Sequence, residues 1–147
     1  MAERQRGRVL RADHIGYVVN DLPAAVAFFI DVLGFADIDR RGTLAVAEGD
    51  ELTRLLGVHP RAEASFAFVR AGDDTVELMS WTAPDHRPEA AKNSDASGRH
   101  LALRVDDLDA LIARVREVPG AVVRERSPRG FVYVTTPFGL ELQLIQN

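Results

Sequence analysis

One supersecondary unit occurs twice in this chain, and that repeat restricts the fold more than any other feature. The stretch from Arg11 to Gly34 aligns with the stretch from Arg99 to Gly120 at a single offset. His14 and His100, Val19 and Val105, Asp21 and Asp107, Leu22 and Leu108, Ala24 and Ala110, Ala27 and Ala113, and Gly34 and Gly120 all lie 86 positions apart. Each copy opens with a short run of β-formers headed by a histidine. An aspartate placed to cap a helix follows. Apolar residues then recur at helical spacing, and a glycine supplies a left-handed stop.

The spacing predicts a strand over 14–19 and a helix whose buried stripe is Leu22, Val26, Phe29, Ile30 and Leu33, with Pro23 in the first turn where a missing N–H is harmless. A second strand is expected within 35–46, a short helix within 48–57, and a hairpin of strands 64–69 and 75–81 joined by Arg70-Ala-Gly-Asp-Asp. The second copy repeats the plan with strand 100–105, a helix stripe of Leu108, Leu111, Ile112, Val115 and Val118, and strands 121–126, 131–135 and 140–145. Both halves therefore read β-α-β-β-β. A sheet covered by a helix on one face must bury its remaining surface against a partner. The expectation is an α+β protein in which two paired βαβββ modules form a cup-shaped eight-stranded mixed sheet. The chain 1–147 is then a single domain, with modules 9–82 and 99–146 and a polar linker 83–98 in which no periodicity survives. A connection of that length suits a lid or mobile loop.

Composition removes several classes of function. With no cysteine among 147 residues, disulfide and thiolate chemistry are excluded, and any metal must use histidine, carboxylate or carbonyl ligands. A net charge of −4 gives no electrostatic reason to expect nucleic acid as a partner. No apolar run approaches the ~20 residues of a membrane span, and the charged N-terminus has no hydrophobic segment behind it. Residues 1–10 read as a solvated tail, and the protein as cytoplasmic.

The residues suited to chemistry also come in pairs. His14 and His100 open equivalent strands, while Glu77 and Glu141 each sit between apolar neighbours in a closing strand. Alternation sends those neighbours to the helix-packed face and the glutamates to the opposite one. A carboxylate aimed into a sheet interior is costly unless paired or bound to a metal. Singly, a strand histidine is most often just hydrogen-bonded and a strand glutamate solvated. Jointly, the repeat says where the partners should be, and the four suggest a His₂Glu₂ cage.

These motifs resemble a known family. His14-Ile-Gly-Tyr-Val-Val-Asn-Asp-Leu, followed by Phe28-Phe-Ile-Asp-Val-Leu-Gly-Phe35, looks like the opening of the vicinal oxygen chelate superfamily, which holds glyoxalase I, methylmalonyl-CoA epimerase, extradiol dioxygenases and the bleomycin- and fosfomycin-resistance proteins. His100-Leu-Ala-Leu-Arg-Val-Asp-Asp-Leu-Asp and Thr136-Pro-Phe-Gly-Leu-Glu-Leu-Gln are similar to its second-module signatures, so that the likeness covers roughly residues 9–146. It implies metal ligands at His14, Glu77, His100 and Glu141. The usual Asp-Pro-x-Gly turn before the last glutamate is Thr136-Pro-Phe-Gly139 here, which is expected to lose an Asx-type cap.

A fourth ligand at Glu77 is similar to the glyoxalase I and methylmalonyl-CoA epimerase branches. The resemblance then implies a metal-dependent isomerase or lyase acting on a small oxygenated carbon acid through a metal-stabilised enolate, with Glu141 or Glu77 moving the proton. The ion would be Zn, Ni, Co, Mn or Fe(II). Arg104, Phe66 and Phe68 are candidates for substrate binding; Glu48, near the position of a second base in epimerases of the family, reads as a helix-start residue. Two alternatives stand beside this: an Fe(II)-dependent extradiol-type dioxygenase, and a non-enzymatic binder of a small molecule or antibiotic. A small-molecule substrate and a homodimer are the partners expected, with neither nucleic acid nor membrane.

Overall fold

The computed structural model describes residues 7–147, so the expected tail falls, for residues 1–6, outside the described residues. The strands are β1 (Ile15–Val18), β2 (Ala36–Leu44), β3 (Glu63–Ala71), β4 (Asp74–Thr82), β5 (His100–Val105), β6 (Val122–Val123), β7 (Phe131–Thr135) and β8 (Glu141–Gln146). The helices are α1 (Leu22–Ala27), which continues as a wider π-type turn over Phe28–Val32, α2 (Glu51–Leu56) and α3 (Leu108–Arg116).

The strands make two four-stranded mixed sheets of matching order, β1-β4-β3-β2 and β5-β8-β7-β6. In each, the first strand runs parallel to the last and the other pairs are antiparallel. This is an α+β architecture of two βαβββ units.

Local chemistry accounts for the helix starts. The carboxylate of Asp21 accepts from the Ala24 N–H at 3.0 Å, and that of Asp107 from the Ala110 N–H at 2.9 Å. The first helix departs from its expected stripe. Where it widens, the Leu33 N–H reaches back to the Phe28 carbonyl at 3.1 Å, five residues away. The extra residue in that turn carries Phe28 inward beside Phe29, leaving them 3% and 0% exposed, while Ile30 and Leu33 are only half-buried. The expected strand 121–126 shrinks to two residues. Arg124 still donates to the Tyr133 carbonyl, but the Ser127 N–H turns to Phe131 at 2.8 Å and closes the loop early.

One hydrophobic core serves both units. Tyr17, Val69, Val76 and Leu78 from the first sheet are buried together with Leu108, Val115, Val132, Leu142 and Leu144 from the second half. Phe28 meets Phe138 edge to face with centroids 5.5 Å apart, and the Asn20 N–H donates to the Phe138 carbonyl at 2.9 Å. Arg99 donates to the Val18 carbonyl at 3.2 Å. These contacts fix how the two sheets sit relative to each other. In each sheet, one face packs on helices and the other stays open.

The turn before β8 corrects one expectation. The Thr136 hydroxyl, buried at 3% exposure, accepts from the Leu140 N–H at 3.0 Å and donates to the Leu140 carbonyl at 2.7 Å. A hydroxyl thus does the capping work of the missing aspartate, and Gly139 takes the left-handed φ of 86° that completes the turn.

Candidate functional site

Both open faces carry a histidine–glutamate pair, and the two pairs are built differently. In the second sheet, His100 lies directly across from Glu141 in the parallel register of β5 and β8. In the first, His14 precedes β1, and the residue opposite Glu77 is Gly16. Two residues of offset separate His14 from Glu77, yet Nε2 of His14 lies 3.2 Å from Oε2 of Glu77. Gly16 leaves the space between them open. A Cβ there would sit 3.6 Å from the Glu77 oxygen and 3.3 Å from the end of Met79. With no side chain between them, the carboxylate leans over Gly16 to reach the imidazole.

The His14 ring is held from both sides. Its Nδ1 is 2.8 Å from the Asp13 carboxylate, and its edge meets Phe68 at 5.3 Å between centroids. With the Asp13 carboxylate on Nδ1, the ring presents Nε2 to Glu77. That hydrogen bond to His14 is the main reason the Asp13 carboxyl sits below its ordinary pKa. The second pair mirrors the arrangement, with His100 edge-on to Tyr133 at 5.3 Å. Phe66 and Phe131 extend the two aromatic walls.

Glu141 is the more enclosed carboxylate. Its side chain is 11% exposed, and its Oε2 is buried without a hydrogen-bond partner. Arg124, anchored on the Thr135 hydroxyl at 3.0 Å, comes no closer than 3.9 Å to Oε1. A buried carboxylate oxygen without a hydrogen-bond donor has the chemistry to coordinate a cation. The donor set of two imidazoles and two carboxylates fits a borderline divalent ion.

The four candidate ligands do not meet within one chain. Among the described residues, no group of three or more histidines, aspartates or glutamates gathers at a common point. His14 with Glu77 and His100 with Glu141 form two separate pairs, each a candidate half-site. Phe68 and Phe66 stand beside the first of them. Arg104 shares the face of His100 but lies four residues further along β5, roughly 13 Å away at strand rise, beside Asp106, Asp107 and Arg114 in a separate cavity. Glu48 is exposed on the loop before α2, and the Nδ1 of His59 accepts from the Arg61 N–H. Sequence reasoning passed over Asp13, whose only signal was its place next to His14. It also passed over the role of Gly16 and over Arg124, which the irregular chain after β6 delivers.

A family profile described as the Glyoxalase/Bleomycin resistance protein/Dioxygenase superfamily matches residues 11–144. The chain belongs to this superfamily. Among characterised members, it is 40% identical over 143 residues to a 2-epi-5-epi-valiolone epimerase from Actinomyces sp., an alignment covering 90% of this chain and 76% of that one. It is 29% identical over 142 residues to the lactoylglutathione lyase of Salmonella typhimurium, covering 93% of each. A glyoxalase family protein from Bacillus cereus superposes with a TM-score of 0.77 at 20% identity, over 98% of both chains, which shows the shared fold. An epimerase and a lyase among its relatives put this superfamily member with the isomerases and lyases of the glyoxalase and epimerase type. Among the described residues, no helix is long and apolar enough to cross a membrane.

Proposed function

We propose that this chain, read as one domain of two βαβββ modules, is a metal-dependent epimerase acting at the carbon beside a ketone in a polyhydroxylated ring. The observation carrying this reading is the pair of half-sites, with Glu77 on His14 and the unpartnered oxygen of Glu141 beside His100. The 40% identity to a 2-epi-5-epi-valiolone epimerase supports the substrate class.

His14, Glu77, His100 and Glu141 would hold the ion. Because one chain gathers only two of these at a time, the full set is completed by the open faces of two copies, His14 and Glu77 coming from one and His100 and Glu141 from the other. A divalent ion held there supplies Lewis acidity that polarises a carbonyl and lowers the cost of removing a neighbouring proton.

The chain's own groups do the rest. Inverting a carbon centre requires one group to take its proton on one face and another to return a proton on the opposite face. The half-sites contribute one carboxylate each, Glu77 and Glu141, so that acceptor and donor come from opposite walls. Phe66, Phe68, Phe131 and Tyr133 exclude water from between them and raise the strength of every charge–dipole contact inside. Asp13 holds the His14 ring by its Nδ1.

Two experiments test this. Metal-loaded protein in D₂O should epimerise 2-epi-5-epi-valiolone and place solvent deuterium at the inverted carbon; the absence of both would refute the reaction. For the shared site, His14→Ala and His100→Ala are each expected to be inactive. Mixed and allowed to exchange subunits, they should recover about a quarter of wild-type activity, since about half of the dimers are mixed and each has one intact site of two. Mixing without recovery, once subunit exchange is verified, would refute the shared site.

A further inference from the structure

Strand β2 carries the most unusual backbone of the chain, and it is directed at the first half-site. Its pairing with β3 runs Asp37 against Val69 and then jumps to Arg40 against Phe68, leaving Ile38 and Asp39 as a bulge. Asp39 is the one described non-glycine residue with positive φ, at 52°. The strain is held in place locally: Oδ1 of Asp37 accepts from the Asp39 N–H at 2.9 Å, and Oδ2 accepts from Arg41. Bulges next to functional sites commonly re-aim a side chain.

Here the re-aimed side chain is Arg40. Because directly paired residues share a face, Arg40 stands on the open face with Phe68, and its guanidinium carbon lies 4.0 Å above the Phe68 ring. The same ring takes the edge of His14 at 5.3 Å. Phe68, on an otherwise open face, is only 2% exposed beneath these two covers. Arg40 is exposed, so its N–H groups stay open to solvent above the ring. Arg40 makes no hydrogen bond or ion pair with any described residue, whereas its neighbour Arg41 is tied to Asp37. The Arg40 charge also reaches the Asp13 carboxyl, and adds to the His14 hydrogen bond that holds it below its ordinary pKa. A guanidinium over an aromatic ring beside the His14–Glu77 pair has N–H donors free for further oxygens.

We propose that Arg40 is a substrate-binding residue that donates its free N–H groups to ring hydroxyl oxygens of the substrate, and that the bulge at Asp39 exists to position it. This rests on the epimerase reading above and names the group that selects an oxygen-rich ring. A neutral polyol takes hydrogen bonds from a guanidinium without requiring a carboxylate or phosphate of its own.

The test uses metal-loaded protein and 2-epi-5-epi-valiolone, with metal content measured for each variant. Arg40→Gln should lower kcat/KM by about 10- to 100-fold, mainly through KM, with metal content unchanged. Arg40→Lys should fall between, because a point charge on a flexible stem replaces the fork. Asp39→Gly, which accepts the same φ without strain, should keep wild-type kcat/KM, while Asp39→Val should behave like Arg40→Gln. Added guanidinium ion at millimolar concentration should restore part of the activity of Arg40→Gln and none of that of wild type. An Arg40→Gln enzyme within twofold of wild type overturns the assignment. So does an Arg40→Lys enzyme that folds and holds metal but shows a lower kcat at unchanged KM. If wild type itself fails to exchange deuterium into the ketone, the epimerase reading falls instead, and the two failures are told apart.

Discussion

Gly16→Val is the most direct perturbation of the first half-site, because it inserts atoms where the Glu77 carboxylate now leans across to His14. Alanine would bring only a Cβ, 3.3 Å from the flexible end of Met79 and 3.6 Å from Glu77 Oε2, and Met79 can give way. Valine adds two carbons a further ~1.5 Å out, which leaves no room for the oxygen in its present position. Glu77 must swing away, and the 3.2 Å contact with His14 is lost. The effect on folding should be small: valine favours a strand over glycine by up to ~1 kcal/mol, against overpacking strain of ~1–3 kcal/mol. Metal affinity should fall by at least about 10- to 100-fold, the loss that follows when even the groups orienting a ligand are removed.

The assay is thermal unfolding with and without metal. At a metal concentration 100 times the wild-type Kd, binding stabilises wild type by ~2.7 kcal/mol. A variant binding 100-fold more weakly would gain only ~0.4 kcal/mol under the same conditions. Ala102→Val is the matched control, since it faces Gln143 and the His100–Glu141 pair is in direct register without needing a gap. It should keep the full increment. Equal metal-induced stabilisation in Gly16→Val and wild type would refute the idea that an empty position beside Glu77 builds this half-site.

Other outcomes follow from the same coordinates. Glu141→Leu should abolish metal binding yet raise the melting temperature of the metal-free protein by several degrees, because it removes a buried oxygen without a partner, worth ~1–3 kcal/mol. A fall in metal-free stability would contradict this. Thr136→Val should cost ~1–3 kcal/mol in urea unfolding by orphaning the Leu140 N–H, and Thr136→Asp should recover most of it. Burial raises the Tyr17 phenol above its ordinary value of 10.0. The unfolded chain therefore ionises first as pH rises. The stability that Tyr17 contributes is complete below about pH 10 and is lost as pH climbs through the folded-state value. Tyr17→Phe should show a shallower alkaline decline in stability between pH 10 and 12, and parallel curves would refute the linkage.

Much of the architecture could be read from local pattern. The 86-residue offset located both helix caps, and the aspartate carboxylates do accept from Ala24 and Ala110. Period-two alternation put Glu77, Glu141, Phe66 and Phe68 opposite the helices, because side-chain direction in a strand is a local property. Where the backbone departs from regular geometry, pattern failed. The π-type turn that brings Phe28 to the core packs it against Phe138, more than a hundred residues away. The run Asp37-Ile-Asp-Arg-Arg-Gly read only as a strand with uncertain borders. Its bulge is visible only once Phe68 is seen opposite Arg40 instead of Ile38.

The sequence alone supplied the candidate residues and their pairing: two histidines and two glutamates, one of each per repeat, on faces turned from the helices. What the tertiary structure decided is how they are grouped. The register between β1 and β4 differs by two residues from that between β5 and β8, so one pair needs the space at Gly16 and the other does not. The shared core then sets the two sheets so that each open face holds only one histidine–glutamate pair of the four candidates. Sequence periodicity records which way a side chain points, but the distance between two such faces is set by packing between residues far apart in the chain, and no local pattern encodes it.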